Sequence, residues 1–118
     1  MSGKVIVTGG RYFNDREAVF IILDILDPDI VIEGGAPGAD KLAHDWAHLR
    51  GKKSHTYVAD WDQHGKAAGP IRNNLMLSEN RDARVIAFQG GAGTQNCIAQ
   101  AIKLGMEVHE IPIRMDHA

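Results

Sequence analysis

The sequence predicts a fold of the α/β class, a three-layer sandwich built on an open five-stranded parallel sheet. Short β-branched apolar runs alternate with longer segments of helical period, which is the alternation of βαβ units. Glycine-rich turns follow several of the apolar runs. Because 118 residues can bury one ordinary core and not two, we expect residues 1–118 to form a single domain.

The first half of the chain predicts two strands and two helices in alternation. Asn14 or Asp15 can cap the start of the first helix, and Asp27-Pro28 ends it. The second strand stays apolar until Glu33, its last residue, as expected for a strand buried on both faces. In chain order, we expect a strand over Lys4–Thr8, a helix over Arg16–Leu26, a strand over Ile30–Glu33 and a helix over residues 39–50.

The second half continues the alternation, with a loop expected at the polar segment 59–68. Pro70 suits the first turn of the third helix because its missing N–H costs nothing there. The fourth helix places Ile98, Ala101 and Ile102 on its apolar face. In chain order, we expect a weaker strand at 54–58, a helix at 69–79, a strand at 84–88, a helix from residue 94 to 105 and a strand at 107–111.

Four helical crossovers of the usual right hand would join these strands into a Rossmann-like sheet covered on both faces. In such sheets, ligands lie beyond the carboxyl ends of the strands. The glycine-rich turns of this chain leave the predicted strands at that same edge, so we expect the binding site there.

Composition excludes several classes of protein. Apolar residues make up 44% of the chain and charged residues 24%, the balance of a globular protein rather than a disordered one. A net charge of -2 does not favour broad binding to nucleic-acid backbone, so DNA is a possible but disfavoured partner. The start of the chain lacks the zones of a signal peptide and no apolar run reaches membrane length, so we expect a cytoplasmic protein without a membrane partner.

Neither the histidines nor the cysteine of the chain predicts a metal site. His44 and His48 have the spacing of a zinc-binding helix, but helical projection places both on the polar face, away from the sheet, and no third ligand follows. Cys97 is the only cysteine, which rules out an internal disulfide. Cys97 lies beside an apolar helix face without a paired base, so we interpret it as a small core residue.

Two glycine-rich turns lead from a strand into a helix, where backbone N–H groups can hold an anion. The first turn contains Gly34, Gly35 and Gly38, with Asp40 in the following helical turn; the same residues also suit a tight structural turn, with Asp40 favoured by the helix dipole. The second turn contains Gly90, Gly91 and Gly93, followed by Thr94 as an N-cap or a phosphate ligand. Two such turns at one sheet edge predict a phosphate site.

Further candidates follow from the type of side chain. Arg11, after Gly9 and Gly10, can bind phosphate through two N–H groups or can be an ordinary surface arginine. In the segment 61–74, Trp61 can stack on a base or cover the sheet edge, Lys66 can reach a phosphate, and Arg72 and Asn73 begin a helix that should point at the same crevice. Glu33 can accept a ribose hydroxyl or act as a base.

Four motifs in this order resemble the YspA-like, cpYpsA-related branch of the SLOG superfamily. They are residues 7–11 (VTGGR), 33–40 (EGGAPGAD), 59–61 (ADW) with 69–76 (GPIRNNLM), and 90–94 (GGAGT). The resemblance covers nearly the whole chain and implies a Rossmann-like fold and a nucleotide-type ligand. The superfamily includes the Lonely-guy phosphoribohydrolases and the DprA DNA-processing proteins.

The resemblance to the phosphoribohydrolases is incomplete at the catalytic residues. Their motif reads Pro-Gly-Gly-x-Gly-Thr-x-x-Glu, and its glutamate acts with an arginine that Arg72 matches. In this chain, Gln89 stands at the proline and Cys97 at the glutamate. A thiol cannot replace a carboxylate that stabilises an oxocarbenium-like centre, so hydrolysis would need a carboxylate from elsewhere, such as Glu33.

The sequence therefore predicts a domain that binds a nucleotide or a nucleotide-derived phosphorylated ribose, as a sensor or a processing protein with no further cofactor. The alternatives are an N-glycosidic hydrolase that uses Glu33 and Arg72, and DprA-like DNA binding. The first helix is apolar around much of its circumference at residues 18–23, which predicts a homo-oligomer interface.

Overall fold

The protein is described by a computed structural model, which covers residues 3–112. The strands of the sheet are β1 (Lys4–Thr8), β2 (Ile30–Glu33), β3 (Lys53–Thr56), β4 (Arg84–Ala87) and β5 (Val108–Glu110). The helices are α1 (Arg16–Leu26), α2 (Ala39–Leu49), the short α3 (Trp61–His64), α4 (Ala68–Ser78) and α5 (Ala92–Lys103), with a 3-10 turn at Gly65–Ala67. All neighbouring strands pair in parallel. The predicted α/β fold with an open five-stranded parallel sheet is confirmed.

The strand order β3-β2-β1-β4-β5 places a topological switch point in the middle of the sheet. The chain builds outward from β1 to β3, then returns to the other side of β1 to form β4. Connections therefore leave β1 and β4 toward opposite faces, which opens a crevice at the carboxyl ends of these two strands. The turn after β1 and the turn after β4 both enter this crevice.

Apolar residues fill both faces of the sheet because its central strands are buried on both sides. On one face, Trp46 of α2 and Leu23 of α1 pack with Val5 and Val31 of the sheet. On the other face, Met76 of α4 and the small residues of α5 cover Ile6, Ile32 and Val85. These side chains form a second core cluster. The two glycine-rich turns are thus anchored on a rigid, close-packed support.

Local sequence signals explain where α1 begins and ends. The Asp15 side chain accepts a hydrogen bond of 3.0 Å from the Ala18 N–H, so Asp15 rather than Asn14 is the N-cap. At the other end, Asp27 adopts a left-handed conformation with φ of 45° and its N–H returns to the Leu23 carbonyl. Pro28 follows and cannot continue the helix.

Three element predictions need correction. The third strand runs from 53 to 56 rather than 54 to 58, and all four of its residues are exposed because it forms an edge of the sheet. The segment 59–68 is not a loop: the Asp60 side chain accepts a hydrogen bond from the Gln63 N–H and caps α3. Helix α5 begins at Ala92, so Thr94 lies inside its first turn, and Ile102 is 61% exposed rather than on the packed face.

His44 also differs from its predicted position. Both His44 and His48 are exposed, but the Nδ1 atom of His44 lies 2.9 Å from the Ser54 hydroxyl and 3.7 Å from Oε2 of Glu33. The helical projection missed these contacts because it describes α2 alone, whereas Ser54 and Glu33 belong to neighbouring strands. Within residues 3–112, no group of three or more His, Cys, Asp or Glu side chains is arranged to hold a metal ion.

None of the helices in residues 3–112 combines the length and the apolar character that a bilayer-spanning segment needs.

Candidate functional site

A cleft of about 630 Å³ lies at the carboxyl ends of β1 and β4. Its volume is within the range that small-molecule sites occupy. It is lined by twelve of the sixteen residues that the sequence predicts for a binding or catalytic role. These are Gly9, Gly10 and Arg11 after β1, Gly34 and Asp40 after β2, Trp61 of α3, Arg72 and Asn73 of α4, and Gly90, Gly91, Gly93 and Thr94 after β4.

Four predicted residues do not line this cleft: Glu33, Gly35, Gly38 and Lys66. The Glu33 carboxylate is almost fully buried, accepts a hydrogen bond of 2.6 Å from the Gly35 N–H, and accepts another from the Thr56 hydroxyl. It therefore faces β3 rather than the cleft. Lys66 is exposed in the 3-10 turn before α4.

Three of the glycines let the turns pack against one another. A Cβ atom on Gly9 would stand 2.5 Å from the Ala39 Cβ, and one on Gly90 would stand 2.1 Å from the Thr94 hydroxyl. Gly38 has a φ of +83°, and a Cβ there would stand 2.1 Å from the Gly10 carbonyl oxygen. These positions require glycine for the close approach of protein segments, independently of any ligand.

Gly91 and Gly93 differ from these glycines because a Cβ on either one would meet no atom within 4 Å. Gly91 is the N-cap of α5 and provides no side-chain cap, so the first N–H groups of this twelve-residue helix have no side-chain acceptor at the N-cap. Both glycines line the cleft. The positive end of the α5 dipole is therefore directed at an open, glycine-lined space.

The N-terminus of α2 is arranged differently, although its sequence suggests a second phosphate loop. Its N-cap Gly38 is covered by the β1 turn, and the Ala39 N–H donates to the Gly10 carbonyl at 3.3 Å. Oδ2 of Asp40 accepts hydrogen bonds from the N–H groups of Gly34 at 3.0 Å and Ala36 at 3.3 Å. The carboxylate and the packed turn thus occupy the place that an anion would take.

Arg72 supplies positive charge between the two sides of the cleft. Its Nη1 donates to the Gly34 carbonyl at 2.6 Å, and its Nε donates to Oδ1 of Asn73 at 2.9 Å. Asn73 in turn donates through Nδ2 to the Gly93 carbonyl at 3.3 Å and to Asn96. These contacts fix the guanidinium and tie α4 to the first turn of α5.

The electrostatic environment changes the acidity of Asp40. Burial away from water raises the pKa of this carboxyl from 3.8 to about 6, against the opposing hydrogen bond from the Ala36 N–H. The negative charge of Glu33 adds to the increase, whereas the Arg72 guanidinium reduces it. A carboxyl with this pKa can change its protonation near neutral pH, which is common at binding and catalytic sites.

Two aromatic side chains stand at the mouth of the cleft. Trp61 is 57% exposed and its ring packs on Gly69, where a Cβ would lie 3.3 Å from the Trp61 ring. Tyr12 is 90% exposed and also lines the cleft, although it is not among the residues that the sequence predicts. Its position directly after Arg11 was the available signal. Neighbouring Phe13 instead packs against Phe88, with ring centroids 5.2 Å apart.

Cys97, which stands where the phosphoribohydrolases have a glutamate, lies beneath the cleft in the core. Burial raises the pKa of its thiol to about 11, only partly offset by a hydrogen bond with the Thr8 side chain. Such a thiol stays protonated and is a poor nucleophile. It brings no carboxylate to the cleft.

Comparison with known proteins identifies the family. A family model described as the YspA, cpYpsA-related SLOG family matches residues 3–64. This chain belongs to that family. Gene 61 protein of Mycobacterium phage D29 is 36% identical over an alignment of 117 residues, which covers 89% of this chain and 93% of the phage protein. The predicted SLOG membership is confirmed.

A solved structure shows the same fold across nearly the whole chain. DNA processing protein A (DprA) from Streptococcus pneumoniae superposes with a TM-score of 0.79 over 98% of this chain, at 20% sequence identity. The chain spans about half of DprA, 52% of its length. The family match at residues 3–64 includes the turns after β1 and β2 and Trp61, whereas Arg72 and the turn after β4 lie beyond it.

Proposed function

We propose that this SLOG-family domain binds a nucleotide or another phosphorylated ribose derivative in the cleft between β1 and β4. The observation that carries the proposal is the open N-terminus of α5, which faces the same cleft as Arg11 and two exposed aromatic rings. A nucleotide has an anionic end and a flat aromatic end, so it matches both features at once.

The phosphate would bind at the first turn of α5. The N–H groups of this turn and the open positions at Gly91 and Gly93 allow an anion to approach the backbone closely. Arg11 follows the β1 turn, whose Gly10 N–H is bonded to the Gln89 carbonyl of the β4 turn, and Arg11 lines the same cleft. Arg72 adds a second, fixed positive charge.

The base would bind at the mouth of the cleft. Trp61 and Tyr12 expose aromatic faces there, and stacking on such a face tolerates any base. The structure thus supports a nucleotide-type ligand without selecting one base. The predicted phosphate contacts can therefore be tested with nucleotides of any base.

The test is calorimetric titration with nucleoside mono-, di- and triphosphates, NAD and ADP-ribose, using wild type, Arg11→Gln and Lys66→Gln. Both substitutions remove one positive charge, but Lys66 lies outside the cleft. We expect binding by wild type, at least about tenfold weaker binding by Arg11→Gln, and unchanged binding by Lys66→Gln. Failure of every phosphorylated ligand to bind wild type, or equal losses in both variants, would refute the proposal.

The same mixtures also test the enzyme alternative. Hydrolysis of an N-glycosidic bond through Glu33 has little support, since the Glu33 carboxylate is bound to Gly35 and Thr56 and does not line the cleft. Chromatography of each mixture after incubation should therefore show intact ligand. Release of free base that disappears in Glu33→Gln would restore hydrolysis through this residue.

DprA-like DNA binding is the second alternative, and the name of that structural neighbour is its main support. The net charge of -2 works against it, because backbone binding is driven by positive charge. Salt-sensitive retention of single-stranded DNA by the intact protein would favour DNA over a free nucleotide.

A further inference from the structure

Asp40 is the only acidic side chain among the described residues that line the cleft. The other charged side chains there are Arg11 and Arg72, and the uncapped turn of α5 adds N–H donors. An ionised carboxylate in this position repels a phosphate. The part of the ligand that meets Asp40 must therefore be a neutral or positive hydrogen-bond donor, separate from the phosphate.

One oxygen of Asp40 is free to meet such a donor. Both backbone hydrogen bonds, from Gly34 and Ala36, are accepted by Oδ2. Oδ1 of Asp40 accepts no hydrogen bond from the described residues. Among those residues, every side-chain oxygen that is fully buried has a hydrogen-bond partner, so Oδ1 is not fully buried. Solvent must therefore reach Oδ1. Since Asp40 is only 6% exposed and lines the cleft, this access is from the cleft.

The geometry does not favour Glu33 for this contact. Both oxygens of Glu33 already accept hydrogen bonds, Oε1 from the Gly35 N–H and Oε2 from the Thr56 hydroxyl. Glu33 is 1% exposed and does not line the cleft. The sugar-binding role that the sequence suggests for Glu33 therefore moves to the carboxylate that follows the same strand.

We propose that Oδ1 of Asp40 accepts a hydrogen bond from a ribose hydroxyl of the ligand, so that the cleft discriminates ribonucleotides from their 2′-deoxy or 3′-deoxy counterparts. The proposal rests on the proposed function and adds its sugar specificity. The arrangement also fits the order of groups in a nucleotide, because Arg72 contacts Gly34 beside Asp40 and reaches the α5 turn through Asn73. Arg72 thus connects the turn that holds Asp40 with the α5 turn, so a sugar at Asp40 would be next to a phosphate at α5.

The experiment compares three sugars on each base. The probes are AMP, GMP, CMP and UMP with their 2′-deoxy and 3′-deoxy counterparts, titrated into the wild-type protein by calorimetry. A hydroxyl bound to a charged acceptor should make at least one deoxy analogue bind about tenfold to a hundredfold more weakly. Equal affinities for all three sugars would overturn the proposal while leaving the proposed function intact, whereas failure of these probes and of the di- and triphosphates, NAD and ADP-ribose to bind would refute both.

Asp40→Asn tests the residue. The N–H groups of Gly34 and Ala36 require an oxygen at the Oδ2 position, so the new amide would direct its NH₂ group into the cleft. The acceptor becomes a donor and the negative charge is lost. We expect the preference for ribose to disappear, while deoxynucleotides bind at least as well as they bind wild type.

The matched control is Asp45→Asn, on the same helix, where Asp45 pairs with Lys41 at the surface. It should retain the wild-type preference. Retained discrimination in folded Asp40→Asn would contradict the assignment, and if that variant does not fold, the wild-type comparison of sugars decides. Discrimination of AMP from IMP without discrimination among the sugars would instead show that Asp40 meets an amino group of the base.

Discussion

At the scale of single residues, the cleft depends on side chains whose environment changes their ordinary chemistry. Asp40 is held by backbone N–H groups and is largely buried, and Cys97 is enclosed in the core. For both groups burial is the main cause of a raised pKa. Each shift leads to a measurable consequence.

For Asp40 the consequence is a pH-dependent stability. Between pH 3.8 and about 6 the folded chain keeps a proton that the unfolded chain loses, so the free energy of unfolding falls as pH rises through this interval. The difference corresponds to about 3 kcal/mol. We predict that, as pH rises from 4 to 7, the free energy of unfolding of Asp40→Asn increases relative to that of wild type by up to about this amount. Urea unfolding at each pH measures the difference.

The control for this prediction is Asp45→Asn, whose carboxyl lies at the surface. Its stability relative to wild type should change much less across the same pH range. A difference between wild type and Asp40→Asn that does not vary with pH would contradict the assignment of the raised pKa.

For Cys97 the consequence is low thiol reactivity. The side chain is fully buried and its pKa is raised to about 11, so very little thiolate is present or accessible at pH 8. We predict that a thiol-reactive dye labels the native protein slowly and labels the urea-unfolded protein at once. Rapid, stoichiometric labelling of the native protein would show that the thiol is exposed.

At the scale of elements, glycines of similar sequence context have two different roles. Gly38 lies in the left-handed region and touches the β1 turn, whereas Gly93 lies in the first turn of α5 beside open space. The first position holds two protein segments together. The second leaves room for a ligand.

Alanine substitution should separate these roles. Gly38→Ala is expected to cost about 2 kcal/mol or more, because it combines backbone strain with a clash at the Gly10 carbonyl. Gly93→Ala should leave stability unchanged or raise it by up to about 1 kcal/mol, while weakening phosphate binding. Thermal unfolding and calorimetric titration measure both effects; equal loss of stability in the two variants would refute the distinction.

For the molecule as a whole, the outer side of α1 carries exposed apolar side chains. Val19 and Leu23 face the core, whereas Ile21 is 51% exposed and Ile25 is 74% exposed one turn further along. Exposed isoleucines at this spacing form one stripe on the outer side of the helix. The stripe is consistent with the homo-oligomer that the sequence predicts.

We predict that light scattering of the wild-type protein gives a mass above that of one chain and that Ile25→Lys reduces it to a monomer. Ile102→Lys is the matched control, because Ile102 of α5 is similarly exposed but lies on the opposite face of the sheet. A monomeric wild type would contradict the prediction. Equal disruption by both variants would remove α1 from the interface.

Sequence pattern was enough to predict the alternation of strands and helices and the glycine-rich turns at the carboxyl ends of β1, β2 and β4. These features depend on residues close together in the chain, where periodicity and turn chemistry act locally. Parallel topology then made it predictable that Arg11, Asp40 and Thr94 would meet at one edge.

Two features could not be predicted in this way: which turn is open at the cleft, and which carboxylate lines the cleft. Glu33 is held by Thr56, 23 residues away, and the N-terminus of α2 is covered by the Gly10 carbonyl from a different turn. Both outcomes depend on contacts between segments far apart in sequence. Local pattern cannot specify them, because the same glycine-rich turn can either pack against a neighbouring segment or open into a cleft.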